Sequence, residues 1–233
     1  MALSRDPYEL RNTSALALVL SLLGTIAFFV AFSTAAGDAA RECSWCESNA
    51  VDLALRNALY AENSLAAAKL SHAMTMIVTP ALAIAIAVVP GIRTSARSHG
   101  RHNGMILLIG FLLTTAVCDG VKKLVSRERP GFHLGRGSLI EAAQNPLERH
   151  LSFFSGDTAW AFFFVAAALT IAHFRGYHVP RWLAAVAVSA ATLGGLLRIC
   201  ADMHWASDVL AGALVGAAIG VGLPLALHRR IEA

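Results

Sequence analysis

An all-α membrane protein, with six transmembrane helices and both termini in the cytoplasm, is the fold class this sequence predicts, and three observations predict it. Of its 233 residues, 56% are hydrophobic and only 15% are charged, whereas a soluble domain carries about a quarter charged residues. The apolar residues fall in blocks of near twenty with almost no internal charge, and about 20 residues of helix cross the roughly 30 Å of bilayer hydrocarbon. None of the blocks alternates with period two, so helices rather than barrel strands satisfy the backbone in lipid. The same figures exclude a disordered chain, a collagen-like repeat, a coiled coil and a disulfide-stapled mini-protein. The net charge of +4 is no sign of nucleic-acid binding, because membrane proteins concentrate Lys and Arg on cytoplasmic loops.

The elements follow in order as spans near 14–36, 72–90, 104–121, 158–174, 182–198 and 208–227, in a single domain over 1–233. The first run is longer than the 7 to 15 apolar residues of about the usual signal peptide, so it reads as a retained helix despite the small residues Ala35, Ala36 and Ala39. After it, Cys43 and Cys46 form a lone CxxC that reads as a local disulfide in an oxidising compartment. The stretch from Asn49 to Leu70 has apolar residues near helical spacing and reads as one amphipathic helix at the interface. The 91–103 and 175–181 loops and both termini together hold nine Arg against three acidic residues, and the remaining connections hold ten basic against twelve acidic. By the positive-inside rule the first set is cytoplasmic. The long connections 37–71 and 122–157, the second rich in turn residues such as Pro130, Gly131 and Pro146, are then external.

Ionisable residues at the ends of spans are costly and mark functional sites by default. Three clusters qualify. In KKLVSRERP, Lys122 and Arg129 stand two helical turns apart and would share a face if the third span continued to Pro130. Snorkelling at a helix end is the alternative. Ser155, Gly156 and Asp157 open the fourth span. A helix N-terminus there would present backbone N–H groups to an anion, while a plain cap by Ser155 or Asp157 would also explain the residues. Arg198, His204 and Asp208 join the last two spans. On a helix the i, i+4 pair His204 and Asp208 would let the carboxylate hold one imidazole nitrogen and leave the other free; a structural His–Asp pair is the alternative. All three clusters emerge on the external side. Three cations facing the roughly −1.5 to −2 charge of a phosphate monoester, with backbone donors and a His–Asp pair, suit phosphoryl transfer.

At these residues the sequence resembles the type 2 phosphatidic acid phosphatase superfamily, whose pattern is KxxxxxxRP, then PSGH, then SRxxxxxHxxxD. Lys122, Arg129 and Pro130 match the first block, and Arg198, His204 and Asp208 match the third, with Leu197 in place of the usual Ser. The second block has Phe154 for Pro and Asp157 for His. The resemblance implies that Lys122, Arg129 and Arg198 clasp phosphate with Ser155 and Gly156, that His204 forms a phosphohistidine oriented by Asp208, and that Asp157 stands where the family's His protonates the leaving group. His150 is another donor within reach along the chain. No metal and no cofactor are expected.

The implied partner is a phosphorylated membrane lipid or a polyprenyl diphosphate, hydrolysed at the external face of a cell membrane. Two alternatives stay open: a lipid phosphotransferase using the same intermediate, and an impaired phosphate-lipid binder lacking the second-block His.

Overall fold

The computed structural model describes residues 15–35, 43–93, 97–140 and 146–227. Helix α1 spans Ala15–Ala35 and α2 spans Ala50–Leu59. Then come α3 (Ser64–Arg93), α4 (Arg97–Val125), α5 (Gly156–Phe174), α6 (Arg181–Cys200) and α7 (Ala206–Leu227). Five of them, α3 to α7, are long and apolar enough to cross a membrane. α1 covers the first expected stretch as a helix of 21 residues. Among the described residues the only β contact is an isolated bridge between Trp45 and Arg127.

The interfacial helix expected from Asn49 to Leu70 is instead two pieces. Asn49 caps α2 by accepting the Asp52 N–H, and Asn63 caps the next helix by accepting that of Ala66. Between them the Ala61 N–H donates to the Cys200 carbonyl, which turns the chain at the far end of α6. The second piece runs on into the span, so α3 starts at Ser64 rather than near 72. α3 also widens into π turns at Met74–Val78 and Ile84–Val88. Each lies just before a proline, Pro80 or Pro90, whose ring lacks an N–H and crowds the preceding turn.

The polarity of α2 is inverted. Its charged residues Asp52 and Arg56 are buried while Val51 is 67% exposed. The buried face is held by charge: Arg56 donates to both carboxylate oxygens of Asp202, at 2.6 and 2.5 Å. The outward face of the bundle is likewise apolar, with Ile77 and Leu210 each above 60% exposed, a surface suited to lipid and not to water.

The core lies around α5, where Phe163, Ile171 and several alanines pack on Ile86 of α3, Ile106 of α4 and Ala187 and Ala191 of α6. α7 closes on α5 through Gly212, Gly216 and Gly220. A Cβ on Gly212 would come 2.5 Å from the Ser155 carbonyl oxygen, and one on Gly220 would come 2.6 Å from that of Phe163. At Gly216 it would run into the Ala159 carbonyl. Small residues at intervals of four let two backbones touch, and here they lock the start of α5 beside the start of α7.

Candidate active site

Four helix ends meet at one end of the bundle: the last turns of α4 and α6 and the first turns of α5 and α7. Lys122, Arg129, Ser155, Gly156, Asp157, Arg198, His204 and Asp208 all lie at or beside these ends. Contacts between elements join them. Asp157 Oδ2 is 2.7 Å from Arg198 Nη2, and Arg129 Nη1 is 3.3 Å from His204 Nε2. The Ser155 N–H donates to the Asp208 carbonyl at 3.1 Å. A Cβ on Gly156 would lie 3.7 Å from Lys122 Nζ, so the lysine ends against the first residue of α5.

Lys122 and Arg129 converge, though not as two turns of one helix. α4 stops at Val125, and Ser126 takes a left-handed conformation with φ +44°. Its N–H donates to the Lys122 carbonyl and its hydroxyl to that of Lys123. Arg129 then reaches the site from an extended backbone, φ −72° and ψ 148°. Its guanidinium is buried and donates to the backbone carbonyls of Glu148 and Met203, at 2.7 and 2.9 Å, and to the Glu148 carboxylate.

His204 precedes α7, and Asp208 sits in that helix's first turn, so the expected i, i+4 helical hydrogen bond is absent. The Nδ1 of His204 lies 2.8 Å from the Ser152 carbonyl and 3.7 Å from Asp208 Oδ2. A carbonyl only accepts, so Nδ1 carries the proton and Nε2 is the bare nitrogen of the neutral ring. Burial, together with the Arg129, Lys122 and Arg198 cations, pushes the His204 imidazole well below its usual pKa, with Asp157 opposing. The neutral form is thereby favoured.

Asp208 is engaged elsewhere. Its Oδ2 accepts from the Ser152 hydroxyl at 2.6 Å and the Trp205 N–H at 3.0 Å, and its Oδ1 accepts from Arg127 Nη1 at 2.5 Å. Ser152 therefore links the pair, its carbonyl holding the imidazole and its hydroxyl the carboxylate. Arg127 is fully buried and lies 4.0 Å over the Trp45 ring and 5.5 Å from that of Trp205. Its other nitrogen donates to Asp52 at 2.7 Å, and Asp52 also accepts from the Ser207 N–H and hydroxyl at 2.8 and 2.7 Å.

Arg127, Asp52 and Ser152 are absent from the sequence reading. Only Arg127 leaves a local trace, as the alternate residue of Arg127-Glu128-Arg129: in extended backbone, alternate residues are not forced to one helical face, and here the two arginines serve different partners.

The second block also differs from a plain helix start. Ser155 is the N-cap of α5 but makes no side-chain cap bond; its hydroxyl pairs with that of Thr158 at 2.9 Å. Asp157 is not the cap. Its carboxylate is the acceptor for Arg198, and its Oδ1 lies 3.8 Å from Nδ1 of His72, a residue of α3 that the sequence reading does not include.

The profile of the PAP2 superfamily matches residues 103–232. Among curated proteins, the chain is 28% identical to lipid phosphate phosphatase 1 of Arabidopsis thaliana over 135 residues, 49% of this chain and 41% of that protein. It is 27% identical to lipid phosphate phosphatase 2 of the same plant over 137 residues, 49% and 47% of the two chains. It is 39% identical to lipid A 1-phosphatase of Porphyromonas gingivalis over 69 residues, 30% of this chain and 15% of that one. The chain thus spans less than half the length of each of these relatives. No solved structure matches it. With a family profile covering more than half of the chain, and with all three signature blocks drawn together at one end of the bundle, the chain belongs to the PAP2 superfamily.

Proposed function

We propose that this chain is a membrane phosphatase that hydrolyses a lipid phosphate monoester or isoprenoid diphosphate through a phosphohistidine on His204. The observation that carries the reading is the imidazole itself: Nδ1 is tied to the Ser152 carbonyl, and Nε2 is turned toward Arg129. A phosphate there has Nε2 in line with phosphorus, while Arg129, Lys122 and Arg198 meet the charge that develops on its oxygens. Asp208 shapes the pocket by holding Ser152 and, through Oδ2, adds a carboxylate 3.7 Å from Nδ1, favouring the imidazolium-like charge of the N–P bonded state. The names of the curated relatives support a phosphorylated lipid as substrate.

In this reading α1 is the sixth span, both termini are cytoplasmic and the site opens on the external side of a cell membrane. A headgroup reaches the helix ends from the interface while its chains stay in the bilayer.

The test is phosphate release by purified protein in detergent from phosphatidate, phosphatidylglycerophosphate and a polyprenyl diphosphate. Release from at least one, together with an acid-labile phosphoenzyme that His204→Ala abolishes, is the expected result. Activity in His204→Ala above about a tenth of the parent rate refutes the covalent mechanism, because loss of a nucleophile costs several orders of magnitude.

A further inference from the structure

We propose that His72, on α3, is the general acid of this site, taking the part that the second signature block leaves open at Asp157. The inference rests on the phosphatase reading above. Asp157 is placed as an acceptor: its Oδ2 takes the Arg198 guanidinium at 2.7 Å, and its Oδ1 faces the His72 ring at 3.8 Å. The carboxylate is committed to the guanidinium through Oδ2, and its Oδ1 faces the imidazole at ion-pair distance, beyond a direct hydrogen bond. The titratable group on its open side is the histidine.

Three features of α3 put the ring there. Ser71 and Thr75 are fully buried on the face toward α6. The Ser71 hydroxyl donates to the Gly194 carbonyl at 2.8 Å, and a Cβ on Gly194 would come 2.7 Å from Thr75 Cγ2, so the two helices are seated with little freedom to rotate. His72, one residue beyond Ser71, is turned about 100° from that seam and reaches the first turn of α5. Its side chain is 61% exposed while the Asp157 side chain is 9% exposed. The histidine thus stands at the rim of the cluster and the carboxylate behind it, an arrangement open to the leaving group of a lipid that enters from the bilayer side.

The chemistry balances with these groups alone. His204 Nε2 forms a bond to phosphorus as the bond from phosphorus to the lipid oxygen breaks, and the His72 N–H proton moves to that oxygen, releasing the lipid alcohol. Water then forms the new P–O bond and gives a proton to the neutral His72 ring as the P–N bond breaks, releasing inorganic phosphate and restoring both histidines. Asp157 is a positioning residue in both steps.

A general acid matters in proportion to how badly the leaving group needs a proton. His72→Gln is therefore compared with the parent on two substrates, phosphatidate and p-nitrophenyl phosphate, the second of which leaves as a stable phenolate. The comparison is made on kcat/KM, which reports formation of the phosphoenzyme and not its hydrolysis; we expect a loss of about 100-fold with phosphatidate and a several-fold smaller loss with the aryl ester, where the acid has little to contribute. A thermal melt in detergent that matches the parent shows that the variant is folded. Moving the ring by the double change His72→Gln with Asp157→His should return part of the phosphatidate rate. Equal losses on both substrates, or an undiminished phosphatidate rate in His72→Gln, overturn the assignment. If the parent releases phosphate from neither of these nor from phosphatidylglycerophosphate or a polyprenyl diphosphate, the phosphatase reading falls and this inference with it; if it acts on one of those two lipids, that lipid takes the place of phosphatidate in the comparison. If the parent is active and only the His72 result fails, the phosphatase reading stands and the acid lies elsewhere.

Discussion

Replacing Arg127 with methionine removes the charge but keeps most of the volume between Trp45 and Trp205, and its cost can be worked from the contacts. Two buried carboxylates lose their guanidinium, Asp52 at 2.7 Å and Asp208 at 2.5 Å. Neither is stripped bare: Asp52 keeps the Ser207 N–H and hydroxyl and the Asn49 amide, and Asp208 keeps the Ser152 hydroxyl and the Trp205 N–H. Breaking a buried pair from one side costs about 3–5 kcal/mol, and the remaining neutral donors hold the total to that range. Loss of the stacking cation adds about 1 kcal/mol or more at a desolvated site. At roughly 2–4 °C per kcal/mol for a chain of this size, the melting temperature should fall by about 8–24 °C. The assay is a thermal melt in detergent followed with a thiol-reactive fluorophore, since Cys118 is buried until the bundle opens. Asp52→Asn alone should cost about 1–3 kcal/mol. The double variant should be more stable than the sum of the two losses by about 1–3 kcal/mol, because Asp52 no longer needs its partner. Strict additivity, or a melting temperature unchanged in Arg127→Met, refutes the claim that this arginine holds the two carboxylates together.

Five further outcomes are expected. Because burial and three cations keep the His204 imidazole below its usual pKa, its nucleophilic neutral form should persist as pH falls, so the acid limb of kcat/KM should lie well below the ordinary histidine value of about 6.5. An acid limb at or above that value would place the titrating group elsewhere. Folding stability should carry the same sign, being lost as pH drops below about 6.5, where the unfolded chain binds the proton that the native ring resists. Activity should survive EDTA if Lys122, Arg129 and Arg198 supply, as proposed, the charge that a divalent ion brings elsewhere; strict dependence on added magnesium would refute this. Gly216→Ala should lower the melting temperature by several degrees because its Cβ meets the Ala159 backbone, and a neutral effect would mean that α5 and α7 can part freely. A cysteine introduced at the exposed Leu139 should be labelled by an impermeant reagent in intact cells, and labelling only after permeabilisation would invert the orientation.

The parts of this site that were legible in the sequence are those where chemistry cannot be hidden in an apolar chain. Lys122, Arg129, Arg198, His204 and Asp208 stand at the borders of greasy blocks, at the spacings of the family signature, and all of them meet. The spacings were legible while the local structure was not. Seven residues looked like two turns of one helix, but α4 ends at Val125 with Ser126 left-handed, and Arg127 points inward to Asp52 and Asp208. Four residues looked like a helical pair, but α7 begins after His204 and its first turn uses Asp208 for itself. Asp52, Ser152 and His72 were illegible for another reason. Asp52 meets Arg127 across 75 residues and Ser152 meets Asp208 across 56, and His72 meets Asp157 from a different helix. No local periodicity records such pairings.

The inverted polarity of α2 bears on the order in which the chain can be assembled during synthesis. Its two buried charges find their partners far downstream, Asp52 at Arg127 and at Ser207, 155 residues on, and Arg56 at Asp202, 146 residues on. Until those segments have left the ribosome and been threaded across the membrane, Asp52 and Arg56 have only each other, at i and i+4, and nearby polar side chains as partners, and α2 has reason to stay in the aqueous interface. Only when the hairpin between α6 and α7 arrives can α2 roll its charged face inward. The docking of α2 is thus a late event in biogenesis, and chains halted before residue 202 should carry an accessible, protease-sensitive segment at 50–59 that full-length chains do not.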